Sequence, residues 1–498
     1  VGLAGGDRGD DPPDLRRLAI GDRVPNERTE LVILAAVMLA ASTAATVGEQ
    51  VDLPGFGTVS VYRPEPIGNA RGVVLFVSGD GGWNLGVVDM ARRLAPRAIV
   101  AGLSMSAWQK RIESQPSHCW YPAGELESAA QALEKRYRLP RYVPPILVGY
   151  SSGATVVYGA LAQAPDTTFA GAVSLGFCPD LEVARPVCGA GDWHPSYDAV
   201  KHRGWVPERR DLVPPWYVLQ GAIDQVCTPS ATAAFARAIP SAHLVWLEKV
   251  GHGFGVPSRW GKALDDAVAA MLESESLFEK PMKVAGAPFD ALELPLEVTW
   301  PEGAREALVF VSGDGGWSAL DKTVASELAA DGIAVVGWNA LRYFWSAKTP
   351  ERFRADLERL VGSFPNEVKV FAGGYSFGAE AVPATLAAVP RSGALSRIAG
   401  LVLLAPGPYA TFEVSPLDWI EGGDGPTDFP VAASLARLGG LPILCLDGAE
   451  DRNSGCHGSG ATGVLHEEIP GGHHFGGAFK KVAQRIEAFI RRDGASGR

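Results

Sequence analysis

The sequence predicts an α/β fold written twice along the chain, and three observations carry that expectation. Short apolar runs alternate with amphipathic helical stretches. The chain's 59 glycines and 37 prolines suit many tight strand-to-helix turns better than a helical bundle. Four glycine-rich motifs recur in the same order in both halves. Each half should therefore be a mostly parallel sheet with helices on both faces.

The second half shows the alternation most clearly. Ala307-Leu308-Val309-Phe310-Val311 reads as a buried strand, followed by a helical stretch from Ser318 to Asp331. Ile333-Ala334-Val335-Val336-Gly337 is the next strand. Pro350 to Val361 reads as a helix with Phe353, Leu357 and Leu360 on one face. Val368 to Ala372 leads into a glycine turn, and Ala379 to Ala388 has helix-forming composition after it. Ile398 to Leu404 and Pro442 to Leu446 are later strands, and a last helix covers about Ala478 to Ile490.

The repeats set the organisation. Val77-Ser78-Gly79-Asp80-Gly81-Gly82-Trp83 returns as Val311-Ser312-Gly313-Asp314-Gly315-Gly316-Trp317. Gly149-Tyr150-Ser151-Ser152-Gly153 returns as Gly374-Tyr375-Ser376-Phe377-Gly378. Gly221-Ala222-Ile223-Asp224 matches Gly448-Ala449-Glu450-Asp451, and Gly251-His252-Gly253-Phe254-Gly255 matches Gly472-His473-His474-Phe475-Gly476. The expected division is a leader and extension over 1–45, a first domain over 46–282 and a second over 283–498. Every repeated motif follows a predicted strand. All four should converge on the carboxyl edge of a sheet, where parallel α/β folds place their ligands.

Composition narrows the function. The formal net charge of -11 disfavours non-specific nucleic-acid binding, which needs basic patches. The six cysteines include no CxxC pair, so neither a zinc ribbon nor a thioredoxin-type site is expected. His473 and His474 are adjacent, with no third ligand close in sequence, so no metal site is expected. No cofactor is implied.

An address precedes the domains. Leu31 to Ala41 is apolar, Ser42-Thr43-Ala44-Ala45 is small, and Arg17, Arg23 and Arg28 come before. This is the layout of a secretory signal, so export is the expectation. A buried helix or an uncleaved anchor is the competing reading. The polar stretch before Asn26 is longer than a signal needs, as an overlong start of translation would produce. Export would permit disulfides. Cys119, Cys178, Cys188 and Cys227 lie in the first half, and Cys445 and Cys456 in the second. Pairing within each half and buried free thiols both remain open.

The motifs supply a nucleophile, a base and an anion site. Gly-x-Ser-x-Gly between a strand and a helix is a nucleophile elbow, which makes Ser376 and Ser151 candidates. A serine hydroxyl needs a neighbouring base. His473 and His252 are the candidates, oriented by Asp451 and Asp224. The order Ser, Asp, His is that of α/β-hydrolases, so the expected fold class is two tandem α/β-hydrolase-like domains. His474 and Asp447 are rivals, disfavoured by the alignment of the two copies. The Ser-Gly-Asp-Gly-Gly-Trp loop suits oxyanion stabilisation. Its expected donors are Gly315, Gly316 and Trp317 with Phe377, and Gly81, Gly82 and Trp83 with Ser152. Asp314 and Asp80 either brace the turn or meet a cationic substrate group.

On these residues the second half resembles the VirJ domain. The cues are Val-Phe-Val-Ser-Gly-Asp-Gly-Gly-Trp, Gly-Tyr-Ser-Phe-Gly-Ala-Glu, and Tyr343-Phe344-Trp345 to Thr349-Pro350-Glu351. The tandem, exported layout is similar to AcvB-type virulence proteins. The resemblance implies a periplasmic serine hydrolase acting on the aminoacyl ester of aminoacyl-phosphatidylglycerol, with the lysyl lipid preferred, linked to virulence and lipid homeostasis. It places the nucleophile on Ser376, with Asp451 and His473. Asp314 and Glu380 are the candidates for meeting the ammonium. The first copy's Ser-Ser-Gly-Ala-Thr departs from Ser-Phe-Gly-Ala-Glu. The implied partner is an aminoacylated phospholipid at a membrane surface. The alternative is a non-catalytic accessory to type IV secretion, partnered by secretion-system proteins.

Overall fold

The computed structural model describes residues 48–114, 119–190, 193–273, 277, 289–414, 429–452, 454–456 and 462–495. The expected leader, Leu31 to Ala45, lies outside the described residues. The first copy runs β1 (Glu49–Leu53), β2 (Gly57–Tyr62), β3 (Val73–Val77), α1 (Leu85–Leu94), β4 (Ile99–Leu103), α2 (Met105–Ser114), α3 (Pro122–Arg136) and β5 (Ile146–Tyr150). It continues with α4 (Ser152–Gln163), β6 (Gly171–Leu175), β7 (Asp180–Glu182), β8 (Ser196–Asp198), β9 (Arg203–Trp205), β10 (Trp216–Gly221), α5 (Pro229–Arg237), β11 (Ala242–Leu247) and α6 (Gly261–Ala269). The second copy runs β12 (Leu296–Thr299), β13 (Glu306–Val311), α7 (Ala319–Ala330), β14 (Ile333–Trp338), α8 (Ala340–Tyr343), α9 (Pro350–Gly362) and β15 (Lys369–Tyr375). It ends with α10 (Phe377–Ala387), β16 (Ile398–Leu404), α11 (Val431–Arg437), β17 (Ile443–Gly448), β18 (Val464–Ile469) and α12 (Phe479–Ala495).

Each copy has its own sheet. The first is eight-stranded, in the order β1-β2-β4-β3-β5-β6-β10-β11, and the second seven-stranded, in the order β12-β14-β13-β15-β16-β17-β18. From β4 onward in the first order and β14 in the second, every pairing is parallel. The leading strands pair antiparallel. β3, β4, β6 and β14 are buried at every position, as strands covered on both faces must be. That burial is why their sequences are unbroken apolar runs. β7, β9 and β8 form a separate small antiparallel sheet in the first copy, which the sequence reading did not anticipate.

Local chemistry sets the helix starts. Thr349 Oγ1 accepts from the Arg352 N–H at 3.2 Å, and Pro350 occupies the first turn, so α9 begins there. Its Phe353, Leu357 and Leu360 are fully buried. Ser318 and Asp321 form a capping box at the start of α7, with the Ser318 N–H donating to Asp321 Oδ2 at 2.7 Å. The last helix extends beyond the expected Ile490 to Ala495.

The two copies pack as one compact unit over residues 48–498. Trp345 is central to that contact. Its indole N–H donates to the Leu139 carbonyl at 2.9 Å, and its ring lies 5.4 Å from the Tyr142 ring. Lys135 sits over the same indole and donates to Glu413 Oε1 at 2.8 Å. Three disulfides lie within the copies: Cys119–Cys188, Cys178–Cys227 and Cys445–Cys456. Trp345→Ala should cost about 3–5 kcal/mol by opening a cavity in this contact. The check is a urea titration in which the variant's midpoint falls well below wild type.

Candidate active site

The site begins with a backbone constraint. Ser376 sits between β15 and α10 at φ 50°, ψ -116°, and Ser151 between β5 and α4 at φ 56°, ψ -121°. A non-glycine residue in this region costs about 1–3 kcal/mol and persists only when its surroundings enforce it. The flanking glycines provide that enforcement. A Cβ on Gly374 or on Gly378 would collide with the Val311 carbonyl of the neighbouring strand. In the first copy, a Cβ on Gly153 would collide with the Val77 and Ser78 carbonyls. The elbow therefore rests directly on β13 or β3. Each serine's own N–H is held, Ser376 to the Leu404 carbonyl at 2.8 Å and Ser151 to the Leu175 carbonyl at 2.9 Å.

The other motifs arrive at the same sheet edge. His473 Nε2 lies 2.9 Å from Ser376 Oγ, and its Nδ1 lies 2.9 Å from Asp451 Oδ2. The first copy repeats this with His252 Nε2 to Ser151 Oγ and Nδ1 to Asp224 Oδ2, both at 2.9 Å. Both arrangements have the geometry of a Ser-His-Asp relay. The rivals are engaged elsewhere: His474 Nδ1 bonds the Tyr375 hydroxyl at 2.6 Å, and Asp447 pairs with His466 Nε2 at 2.6 Å. Burial, reinforced by His473, pulls the His474 imidazole below the usual histidine range.

Two features of the site were not foreseen. The tyrosine preceding each serine holds the histidine loop: Tyr375 donates to the His473 carbonyl at 3.3 Å and Tyr150 to that of His252 at 3.1 Å. Disulfides brace the aspartate loops. Cys227, bonded to Cys178, donates its N–H to Asp224 Oδ1 at 2.9 Å. Cys445 in β17 and Cys456 close the loop that carries Asp451.

The oxyanion expectation needs correction. The Gly316 N–H donates to the Gly313 carbonyl and the Gly82 N–H to that of Gly79, each at 3.0 Å, so both donors are spent inside their loop. The Gly315 N–H donates to Asp314 Oδ1 at 3.0 Å, which gives Asp314 a turn-bracing role. The rings of Trp317 and Trp83 fill the space over Gly337 and Gly102. Ser312 and Ser78 tie the loop to the next crossover by accepting from the Ala340 and Met105 N–H groups. Phe377 and Ser152 are the first residues of α10 and α4, where N–H groups have no partner within the helix. Gly81 lies exposed on the rim of the cavity at Ser151.

Glu380 and Glu127 both interact electrostatically with Asp314 in the loop that follows β13. Glu380 accepts from the Gly407 N–H at 2.8 Å. Burial, reinforced by Asp314, pushes its carboxyl up to about 8. A third carboxyl comes from the other copy. Glu127 on α3 has one buried carboxylate oxygen without a hydrogen bond. Burial and the same Asp314 push Glu127 up to about 8. The first copy also reaches the oxyanion loop through Thr167, whose hydroxyl donates to the Trp317 carbonyl at 3.3 Å. Asp224, Cys227 and His252 cluster closely enough to suggest a metal, but the sulfur is in a disulfide and the other two groups bond each other.

Two α/β-hydrolase-like copies thus make up the described chain, each with a serine elbow and a histidine-aspartate pair at its sheet edge. Residues 306–493, most of the second copy, match the family model described as bacterial virulence protein (VirJ). No curated protein sequence matches the chain significantly. Among solved structures, Est1E from Butyrivibrio proteoclasticus is 12% identical with a TM-score of 0.31, over 45% of this chain and 99% of that one. A membrane phospholipase A described as a novel bacterial virulence factor is 14% identical with a TM-score of 0.31, over 49% and 99%. An esterase domain from a Rhodothermus marinus protein is 13% identical with a TM-score of 0.30, over 45% and 96%.

Glu380 makes stability depend on pH. Its folded value, about 8, lies above the ordinary glutamate value of 4.5, so folding favours the protonated form. The contribution of Glu380 to stability is fully present below about pH 4.5 and is lost as pH rises through about 8. Glu380→Gln should raise the thermal midpoint at pH 8 and change it little at pH 4.5, by differential scanning fluorimetry.

Proposed function

We propose that the chain is a serine hydrolase whose second copy cleaves the aminoacyl ester of aminoacyl-phosphatidylglycerol, with the lysyl lipid preferred. The observation that carries the reading is the pair of 2.9 Å contacts joining Ser376, His473 and Asp451. Ser376 Oγ attacks the ester carbonyl while its proton passes to His473 Nε2. Asp451 holds the ring so that Nε2 faces the serine and stabilises the imidazolium that forms. The N–H of Phe377, at the positive end of α10, faces the developing oxyanion. The lipid's glycerol oxygen leaves with the proton from His473. Water, deprotonated by the same imidazole, then releases the amino acid and restores Ser376.

The choice of a cationic acyl group rests on Asp314, Glu380 and Glu127. Burial and the nearby Asp314 push two carboxyls up to about 8, so they hold protons at neutral pH. An entering ammonium favours their ionised form and is attracted in return. A neutral acyl group offers no such exchange. The chain would work in the periplasm of a Gram-negative cell, where three disulfides persist. A role in virulence and membrane-lipid homeostasis follows from the VirJ likeness of the second copy.

Purified protein with lysyl-phosphatidylglycerol vesicles tests the chemistry. Ser376→Ala should lower lysine release at least ~10³-fold, and Asp451→Asn ~10⁴-fold if the triad behaves as others do. Asp447→Asn should lose far less, since Asp447 faces His466. Full turnover by Ser376→Ala would place the nucleophile elsewhere, and wild-type protein that releases no lysine would leave an accessory scaffold as the surviving reading. Glu127→Gln should shrink the lysyl-over-alanyl preference on the order of ten-fold, because one buried charge partner is removed. An unchanged preference would take Glu127 out of the site.

A further inference from the structure

The first copy has the same relay in different surroundings. A cavity of about 370 Å³ opens beside Ser151, a volume within the range of small-molecule sites. Val87 and Met90 form its buried apolar wall, and Tyr150 and Asn84 lie on its other sides. Among the described residues that line it, Asp80 alone is charged, and Asp80 is exposed to solvent, where its charge is screened.

Two positions beside the elbow differ between the copies. Where the second copy has Glu380, the first has Thr155, whose hydroxyl donates to the Cys178 carbonyl at 2.6 Å. That position is neutral and its donor is already used. Where the second copy has Phe377, the first has Ser152, whose Oγ is buried and has no hydrogen-bond partner. A buried hydroxyl adjacent to the nucleophile and without a partner is costly unless a ligand or an ordered water meets it. The acid of the first relay is also firmly held. Asp224 is 5% exposed, accepts from the Val226 and Cys227 N–H groups and carries His252. The side chain of His252 is 16% exposed, against 41% for His473. The first relay is thus at least as well ordered as the second, and it faces a cavity with one apolar wall, Val87 and Met90, and a single exposed carboxyl in place of clustered buried ones.

We infer that Ser151 is the nucleophile of a second ester-hydrolysing centre, separate from Ser376, which takes esters of small uncharged acyl groups such as short alkyl or single-ring aryl acids. Ser151 Oγ bonds to the carbonyl carbon, and its proton moves to His252 Nε2. The ester C–O bond breaks, and the alcohol leaves with that proton. Water then gives one proton to His252 and its hydroxyl to the acyl carbon, freeing the acid and returning the proton to Ser151. The N–H of Ser152, in the first turn of α4, is the counterpart of the Phe377 N–H and the donor to the oxyanion.

The full-length protein, a fluorophosphonate probe and p-nitrophenyl butyrate test this. Intact mass spectrometry should find two adducts on wild type, one on Ser151→Ala, one on Ser376→Ala and none on the double variant. Ser151→Ala should lower kcat/KM for p-nitrophenyl butyrate at least ~100-fold, and His252→Ala should do the same. If Ser151→Ala still takes two adducts, or turns over butyrate as wild type does, the second centre does not exist. If Ser376→Ala alone abolishes butyrate turnover, the division of substrates is wrong. Neither failure touches the lysyl-lipid reading, which stands or falls on lysine release.

Discussion

The site depends on one close approach. Gly374 and Gly378 press the turn after β15 against the end of β13, where no side chain would fit. That contact forces Ser376 into a backbone region that residues with a Cβ avoid, and so aims its hydroxyl outward from the sheet edge. The strand pairing of β15 between β13 and β16 supplies the rigidity that holds the strain. In the first copy Gly153 makes the same approach to the end of β3, and Gly149 leaves room for the Gly153 backbone. Repetition of the constraint in two otherwise diverged halves shows how narrow the acceptable geometry is.

Around this fixed point the histidine and aspartate arrive on longer, individually braced loops. A tyrosine hydroxyl holds each histidine backbone, and a disulfide closes or anchors each aspartate loop. Loops this close to a reaction centre need such support, because displacements of an ångström are costly to catalysis. The copies diverge where substrate would lie. Beside the second relay, Glu380 and the first copy's Glu127 both interact with Asp314, whereas the cavity at the first relay has Val87 and Met90 on one wall and Asp80 as its carboxyl. Tandem duplication with contact between the copies thus lets one copy modify the other's site, as Glu127 and Thr167 do.

Much of this was legible in the sequence. Buried parallel strands such as Val73–Val77 and Ile398–Leu404 announce themselves as unbroken apolar runs. The relay residues were legible because each follows such a strand in a glycine-rich turn and because the two copies align. That alignment also separated His473 from His474 and Asp451 from Asp447. Other features leave no such trace. Strands of three residues such as Asp180–Glu182 are too short and polar to show a period. The loss of Gly316 as an oxyanion donor depends on where its N–H points, which composition does not encode. The contribution of Glu127 arises across the contact between copies, and nothing near Glu127 in the chain hints at it. Disulfide pairing was likewise open until the strands were placed.

The central claim is that Ser376 becomes covalently acylated during turnover. Rapid acid quenching of the protein with isotopically labelled lysyl-phosphatidylglycerol, followed by peptide mass spectrometry, tests it most directly. The account predicts a lysyl adduct on the peptide containing Ser376, formed within one turnover and lost as lysine is released. Lysine release with no adduct on that serine, or with the adduct on a different residue, would contradict it.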